Sequence, residues 1–433
     1  MKVLILTVGG SDAPIVNCIK NYQPNYVVFL CTGDENGKKG SKKIIANGPI
    51  VKKERPCKMC DHEDVTKKDC VVDQCALGSD DYSIHVVPHD EPNMCYETAF
   101  KLIKHYTSEG HEVIVDYTGG TKSMSVGLAV AAMEFPQSKL SVVKGVRQDL
   151  DRIKDGMEVV SKLPSHAVFA QRQKRLCMDL ISQHNYAGAV RILEELSTLG
   201  FVDDEKEFNR LLILCRSFAA WDKFDYYKAA DMMSVYSSDP LITEYYAALR
   251  QICAALEWYR DWAPGDKKPP PVFMLIYDVL LNAERRADQG HYDDAVSRMY
   301  RALEMYGQFC LRTGEPQLTS EDMDVSLIPE QHREYYERKR GIGGRIQIGL
   351  IDDYELLALL GHPVNQVWEN CRVQIKGVLN NRNDSFLAHG MTPVPYEEYT
   401  NMKNIIWGFI SSCDEVMKIK KRLLEYKQFP LEI

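Results

Sequence analysis

The run Glu112-Val-Ile-Val-Asp-Tyr-Thr-Gly-Gly-Thr-Lys-Ser-Met-Ser-Val-Gly-Leu-Ala-Val-Ala-Ala-Met133 reads as a buried strand, a glycine turn and a small-residue helix. The strand is Val113 to Asp116. Gly119 and Gly120 suit a turn that needs positive φ, and they leave their amides uncovered. Those amides and the start of the helix aim several N–H donors at one spot beside Lys122. Thr118, Gly119, Gly120, Thr121 and Lys122 therefore form a candidate cradle for a phosphate or another anion. The plain alternative is a tight strand–helix turn with an incidental lysine. A Walker-type P-loop is excluded, because it needs glycine directly before its lysine and another five residues earlier. Thr121 and Asp116 hold those positions.

Working outward, the same grammar repeats. Lys2-Val-Leu-Ile-Leu-Thr-Val8 is a continuous apolar run, followed by Gly9-Gly10-Ser11-Asp12 and a helix opening at Ala13-Pro14. Tyr26 to Cys31, Ser83 to Val87 and Leu140 to Lys144 are further strands, with a helix near Asn93 to Tyr106. Strands that are nearly all apolar and alternate with helices predict an open α/β, Rossmann-like sheet. Ligands of such sheets lie beyond the strand C-termini, and both glycine turns fall on that edge. The first turn lacks the dinucleotide fingerprint, since Ser-Asp-Ala-Pro follows Gly9-Gly10.

The chain has 433 residues, so two or three domains are expected. A net charge of −8 excludes a general nucleic-acid coat and confines RNA binding to a local basic patch. Mean hydropathy is −0.31, no apolar run approaches the roughly 20 residues of a membrane span, and no signal peptide is visible. Thirteen cysteines without a secretory signal point to a reducing, cytoplasmic setting. Four of them, Cys57, Cys60, Cys70 and Cys75, fall in a lysine-rich insert at residues 33–81, with the ligand count of a structural zinc site and His62 as a substitute ligand. The alternative is a basic loop with free thiols.

From about Ser165 helical periodicity takes over. Three turns share a look: Asn185-Tyr186 before Ala189, Tyr226-Tyr227 before Ala230, and His291-Tyr292 before Ala295. They resemble helix-hairpin turns, at a spacing too irregular for a true repeat. Trp262-Ala-Pro-Gly-Asp-Lys-Lys-Pro-Pro-Pro271 is the clearest linker. Arg298, Arg301 and Glu304 share a helix face, which by default is ion pairing. The basic segment from Arg333 to Arg345 suits either an RNA backbone or a solvated loop.

Near the other end lies Asn381-Arg382-Asn383-Asp384-Ser385-Phe386-Leu387-Ala388-His389-Gly390. A permanently charged arginine, an amide and a histidine are what metal-free RNA cleavage needs. Arg382 would neutralise an in-line phosphorane, Asn383 would orient the phosphate and His389 would transfer protons. The nucleophile would be the 2′-hydroxyl of the RNA itself, leaving a 2′,3′-cyclic phosphate. The alternative is a surface arginine and a satisfied helix-end histidine.

The two halves together resemble a known family. Gly119-Gly-Thr-Lys-Ser-Met124 in an α/β domain is similar to the CARF sensor domain of CRISPR-associated proteins. Tyr292-Asp-Asp-Ala followed by Arg298 to Glu304, with Arg382-Asn and Leu387-Ala-His-Gly390, resembles the Csm/Csx-type CARF–HEPN ribonucleases of type III CRISPR systems. The resemblance implies a homodimer whose paired sensor domains hold a cyclic oligoadenylate activator and whose paired HEPN domains cut single-stranded RNA. It implies activator contacts at Gly9, Gly10, Ser11, Thr118, Gly119, Gly120, Thr121, Lys122 and Met124, and catalysis at Arg382, Asn383 and His389 with no cofactor. The expected division is a sensor domain at 1–164, a middle helical domain at 165–262 and a helical ribonuclease domain at 272–433. Two rivals are a sensing regulator whose helical half only docks partners, and a sensor that also cleaves its ligand through Thr7, Ser11 or Thr118.

Overall fold

The computed structural model describes residues 1–35, 39–46, 50–53, 65–144, 147–148, 152–153, 159–163, 166–201, 204–265, 270–388, 390–419 and 427–433. They divide into two compact units, one of residues 1–175 with 195–203, the other of residues 176–194 with 204–433.

The first unit is built on the apolar runs. Its strands are β1 (Lys2–Thr7), β2 (Tyr26–Thr32), β3 (Ile50–Lys53), β4 (Val65–Lys68), β5 (Tyr82–Val87), β6 (Glu112–Asp116), β7 (Lys139–Lys144), β8 (Arg147–Gln148), β9 (Arg152–Ile153) and β10 (Val159–Leu163). The main sheet runs β10-β7-β6-β1-β2-β5, parallel except for the antiparallel edge strand β10. β3 with β4, and β8 with β9, form two separate antiparallel pairs. Its helices are α1 (Ala13–Tyr22), α2 (Lys42–Ile45), α3 (Val71–Gln74), α4 (Pro92–Ser108) and α5 (Lys122–Met133).

Successive residues of β1 serve opposite faces, as the pleat requires. Val3 and Ile5 join one core with Val113, Val115 and Leu128, while Leu4 and Leu6 join another with Ile15, Ile19 and Phe29. Gly127 of α5 lets α4 come close, because a Cβ there would stand 2.8 Å from the Cys95 Cβ and the Tyr96 amide. β1 and β6 are neighbours, and the helices that follow them, α1 and α5, pack on opposite faces of the sheet. The crevice between the ends of β1 and β6 is the topological switch point of the sheet.

Helices follow: α6 (His166–Ser182), α7 (Tyr186–Thr198), α8 (Glu205–Trp221), α9 (Tyr226–Ser234), α10 (Thr243–Asp261), α11 (Phe273–Asp288), α12 (Tyr292–Thr313), α13 (Glu330–Glu337), α14 (Leu350–Leu359), α15 (Asn365–Asn383) and α16 (Tyr396–Val416). Within the second unit, residues on both sides of the proline-rich linker share one core, in which Ile252 and Cys253 lie with Leu275 and Phe309. Trp368 stacks on Tyr354 inside it, with ring centroids 4.9 Å apart. The fold is thus an α/β sensor-like sheet followed by an all-helical body. Among the described residues, no helix is long and apolar enough to cross a membrane.

Candidate functional site

In the first unit the two glycine turns pack on one another. The Thr7 hydroxyl donates to the Gly119 carbonyl at 2.6 Å, and a Cβ on Gly9 would come within 2.7 Å of the Gly120 amide nitrogen. Gly120 has φ +84, the left-handed conformation that its place in the turn demands. Thr121 caps α5, accepting from the Met124 amide and donating to the His89 carbonyl. Asp116 is buried, takes the Thr118 amide on one oxygen and the Ser141 hydroxyl on the other, and so fixes the turn.

A cleft of about 350 Å³ opens here, lined by Gly9, Gly10, Gly120 and Thr121 from the two turns. The rest of its wall comes from segments that sequence adjacency does not connect. Thr32 ends β2, Lys39, Ser41 and Lys43 follow it, and His89 follows β5. Ser41 clamps its segment against the sheet, donating to the Val8 carbonyl at 2.7 Å and accepting from the Thr32 amide at 3.1 Å. Two lysines beside a glycine floor give the cleft the chemistry that suits an anion.

The remaining expected contacts lie elsewhere. Lys122 is exposed in the first turn of α5 and does not line the cleft. Met124 is 1% exposed and its side chain belongs to the core. The Thr118 hydroxyl accepts from the Val143 amide at 2.8 Å, and Gly119 holds Thr7 and Ser125, so both are committed to the turn. Ser11 is partly covered and is not part of the wall. The lysine-rich composition of the insert was the available signal for Lys39 and Lys43.

Cys57, Cys60 and His62 lie outside the described residues. Of the other two cysteines, Cys70 is buried with its thiol donating to Asp73 at 2.9 Å, and burial pushes both the Cys70 and Cys75 thiols up. Among the described residues, no group of three or more His, Cys, Asp or Glu side chains could hold a metal ion.

In the second unit, Arg382 sits in the last turn of α15. Val378 and Leu379, four and three residues earlier, are buried, so helical spacing turns Arg382 toward the core. Its guanidinium lies over the Tyr300 ring of α12, 4.4 Å from the centroid. Its Nε is buried without a hydrogen-bond partner, and its Nη1 donates to Asn383 at 3.4 Å. Asn383 is exposed beside it. His389 lies outside the described residues. The chain on either side of that position is tied down: the Gly390 amide donates to the Ser385 carbonyl at 3.1 Å, and the Val394 amide donates to Asp293 at 3.1 Å. Gly390 presses so closely on the Asp384 carbonyl that no side chain fits there.

Acidic groups lie behind this arginine. Burial raises the Tyr300 hydroxyl, with Glu304 adding to the effect and Arg382 opposing it. Asp353 of α14 is fully buried and takes the Ser320 hydroxyl at 2.7 Å, while its other oxygen has no partner. Burial pushes its carboxyl up to about 8. Arg301 pairs with Glu304 at 2.5 Å as its spacing suggests, whereas Arg298 pairs with Asp294 and Asn282. The basic stretch is largely neutralised, since Arg338, Lys339 and Arg340 pair with Glu334, Asp352 and Glu337.

Residues 266–412 match the family model of the Csm6 HEPN domain, and residues 169–257 match that of the Csm6 6H domain. No curated protein matches the chain in sequence. A solved structure, Enterococcus italicus Csm6 bound to cyclic hexa-2′-fluoro-hexa-dAMP, is similar in fold with a TM-score of 0.54 and 12% identity, over 97% of this chain and 96% of that one. An α/β sensor domain joined to a HEPN helical domain defines the class, a CARF–HEPN ribonuclease. Within that class the chain belongs to the Csm6 family, the ribonucleases ancillary to type III CRISPR systems.

Proposed function

We propose that this ribonuclease cuts single-stranded RNA endonucleolytically without a metal ion, and that a cyclic oligoadenylate in the β1–β6 cleft switches it on in the cytoplasm. The observation that carries the cutting site is Arg382, a half-buried guanidinium held over Tyr300 with an unpartnered Nε and next to an exposed amide. A fixed positive charge in such a place stabilises charge that develops on a phosphate, the role a metal ion has in other nucleases. The 2′-oxygen bonds to phosphorus as the bond to the 5′-oxygen breaks. His389 moves the protons and Asn383 orients the phosphate. The products are a 2′,3′-cyclic phosphate and a 5′-hydroxyl.

For sensing, the cleft offers two lysines beside the glycine turns, which suits ring phosphates. The solved Csm6 with a cyclic adenylate analogue supports the same class of ligand. Two copies of the chain would complete both sites, and the functional parts are residues 1–164, 165–262 and 272–433. Zinc at Cys57, Cys60, Cys70 and Cys75 is a separate structural proposal, checked by elemental analysis of the purified protein.

The test is cleavage of a labelled RNA with and without cyclic oligoadenylate, in EDTA. Arg382→Ala and His389→Ala are expected to lower cleavage by at least about a hundredfold while activator binding is retained. Cleavage at the wild-type rate by the double variant would remove both residues from the site. Loss of wild-type activity in EDTA would overturn metal independence, and light scattering checks the dimer.

A further inference from the structure

The three look-alike turns of the helical body share one construction. At each, an amide reaches three residues back and the next amide reaches five back: His184 to Ile181 and Asn185 to Leu180, Phe224 to Trp221 and Asp225 to Ala220, Gly290 to Ala287 and His291 to Arg286. The pivot residue is left-handed every time, with φ +57 at His184, +63 at Phe224 and +79 at Gly290. Glycine is the residue that takes this position without strain. His184 has an internal reason to be there, since its ring is buried and its Nε2–H donates to the Phe429 carbonyl at 3.3 Å. Phe224 has none of comparable strength. It is 39% exposed, and its ring meets Tyr226 in a tilted arrangement at 6.1 Å and the Arg298 guanidinium carbon at 5.9 Å. A partly exposed aromatic in a conformation that favours glycine is a reason to look for a functional role here.

Two cavities meet at Phe224, and both are lined by Phe224 and Arg298. One, of about 390 Å³, lies where the three turns converge and is lined by Lys223, Arg286, Arg298 and the Asp222 carboxylate. Arg286 pairs with that carboxylate, and its Nε is buried with no acceptor. The other, of about 380 Å³, is apolar and aromatic, with Leu256, Tyr259, Met305 and Phe309 in its wall. Arg298 stands between them, held by Asn282 at 2.6 Å and Asp294 at 3.1 Å, with its guanidinium carbon 5.9 Å from the Phe224 centroid.

We propose that this double cleft is an RNA subsite that holds one nucleotide of the substrate strand, separate from Arg382. The base stacks on Phe224 in the apolar cavity, and its phosphate lies against Lys223, Arg286 and Arg298. An aromatic face joined to a cationic pocket is how unpaired nucleotides are bound without sequence readout. A single strand is the occupant because only unpaired bases can be splayed onto an aromatic ring. The ribonuclease reading supplies the substrate strand as that occupant: α12 carries both Arg298 and Tyr300, the ring beneath Arg382, and since residues two apart face opposite sides of a helix, the strand would pass around α12 to reach both. The assignment rests on the ribonuclease reading given above.

The test measures binding of a short, fluorescein-labelled 2′-O-methyl RNA, which cannot be cut by 2′-hydroxyl attack, to wild type and to Phe224→Gly by fluorescence anisotropy. Glycine suits the φ of this position, so the variant is expected to melt no lower than wild type while its affinity falls about five- to a hundredfold. Lys223→Ala is expected to reduce the slope of log affinity against log salt by about 0.7. Unchanged RNA affinity in a folded Phe224→Gly protein overturns the subsite, and so does a lowered melting temperature with unchanged affinity. AMP binding as tightly as the oligonucleotide would assign the cleft to a free nucleotide and overturn the RNA assignment. If wild type itself neither binds nor cuts RNA, the ribonuclease reading falls, which is a different result from failure of the subsite alone.

Discussion

Asp353→Asn separates a buried carboxyl's proton from everything else in the helical body. Asp353 is fully buried beneath α12, accepts the Ser320 hydroxyl at 2.7 Å, and has its pKa raised from 3.8 to about 8, chiefly by burial, with Glu304 and Asp352 adding to the effect. A raised carboxyl means that the folded state keeps a proton the unfolded chain has released. Its contribution therefore falls as pH climbs above about 4 and levels off beyond about 8. Between about pH 5 and pH 7 the difference is close to one proton, worth about 1.36 kcal/mol per pH unit, or about 2.7 kcal/mol over the interval. Asparagine keeps the acceptor for Ser320 but puts an amide where the second oxygen had no partner, a pH-independent cost of about 1–3 kcal/mol. Urea unfolding at several pH values, followed by tryptophan fluorescence, gives the difference between wild type and variant. Asp278, also buried and raised to about 6, is present in both proteins and cancels. The variant is expected to be the less stable at about pH 5 and to gain on wild type by about 2–3 kcal/mol by about pH 7. A difference that stays constant with pH refutes the reasoning, because it would mean that Asp353 ionises equally in both states.

In the sensor unit, Lys39→Ala and Lys43→Ala are each expected to weaken cyclic oligoadenylate binding about tenfold by calorimetry, while Lys122→Ala, outside the cleft wall, has a smaller effect. An equal loss for Lys122 would place the ligand on the first turn of α5 instead. Gly9→Ala is expected to destabilise this unit by about 1–3 kcal/mol, because its Cβ would meet the Gly120 backbone at 2.7 Å. Thermal melting checks it, and an unchanged melting temperature would show that the two turns can separate freely.

The sheet was legible because its strands are continuous apolar runs, and a run such as Val3 to Leu6 has no other home than the inside of a two-faced sheet. The glycine turns were legible for a similar reason, since few arrangements need two adjacent glycines at a strand end. The wall of the cleft was not. Lys39, Lys43 and His89 reach it because β2 and β5 lie on one side of β1 while β6 lies on the other, and no local pattern encodes strand order. Sequence adjacency favoured Lys122 instead, although the first residue of a helix faces solvent as readily as ligand. In the helical body, spacing found the Arg301–Glu304 pair. It could not find Arg298 with Asn282, or Arg285 with Asp222, which join different helices. Arg382 was visible as a residue, but the ring that supports it lies 82 positions earlier, at Tyr300.

That separation bears on how sensing could govern cutting. The cleft lies in one compact unit and Arg382 in the other, each with its own core. On the reading proposed above, the activator uses a different set of residues from those that act on RNA. It can act only by binding one arrangement of the whole protein better than another. A hundredfold activation then requires the ligand to favour the cutting arrangement by about 2.8 kcal/mol. Two lysine contacts to phosphate, at about 1.5–3 kcal/mol each, are enough for that if they are made in only one arrangement. By reciprocity, a protein that binds RNA at the Phe224 cleft more tightly when activated must also hold its activator more tightly when RNA is bound. Measuring activator affinity with and without the uncuttable RNA therefore tests the coupling without any cleavage, and equal affinities would mean that activation acts on the chemical step rather than on RNA binding.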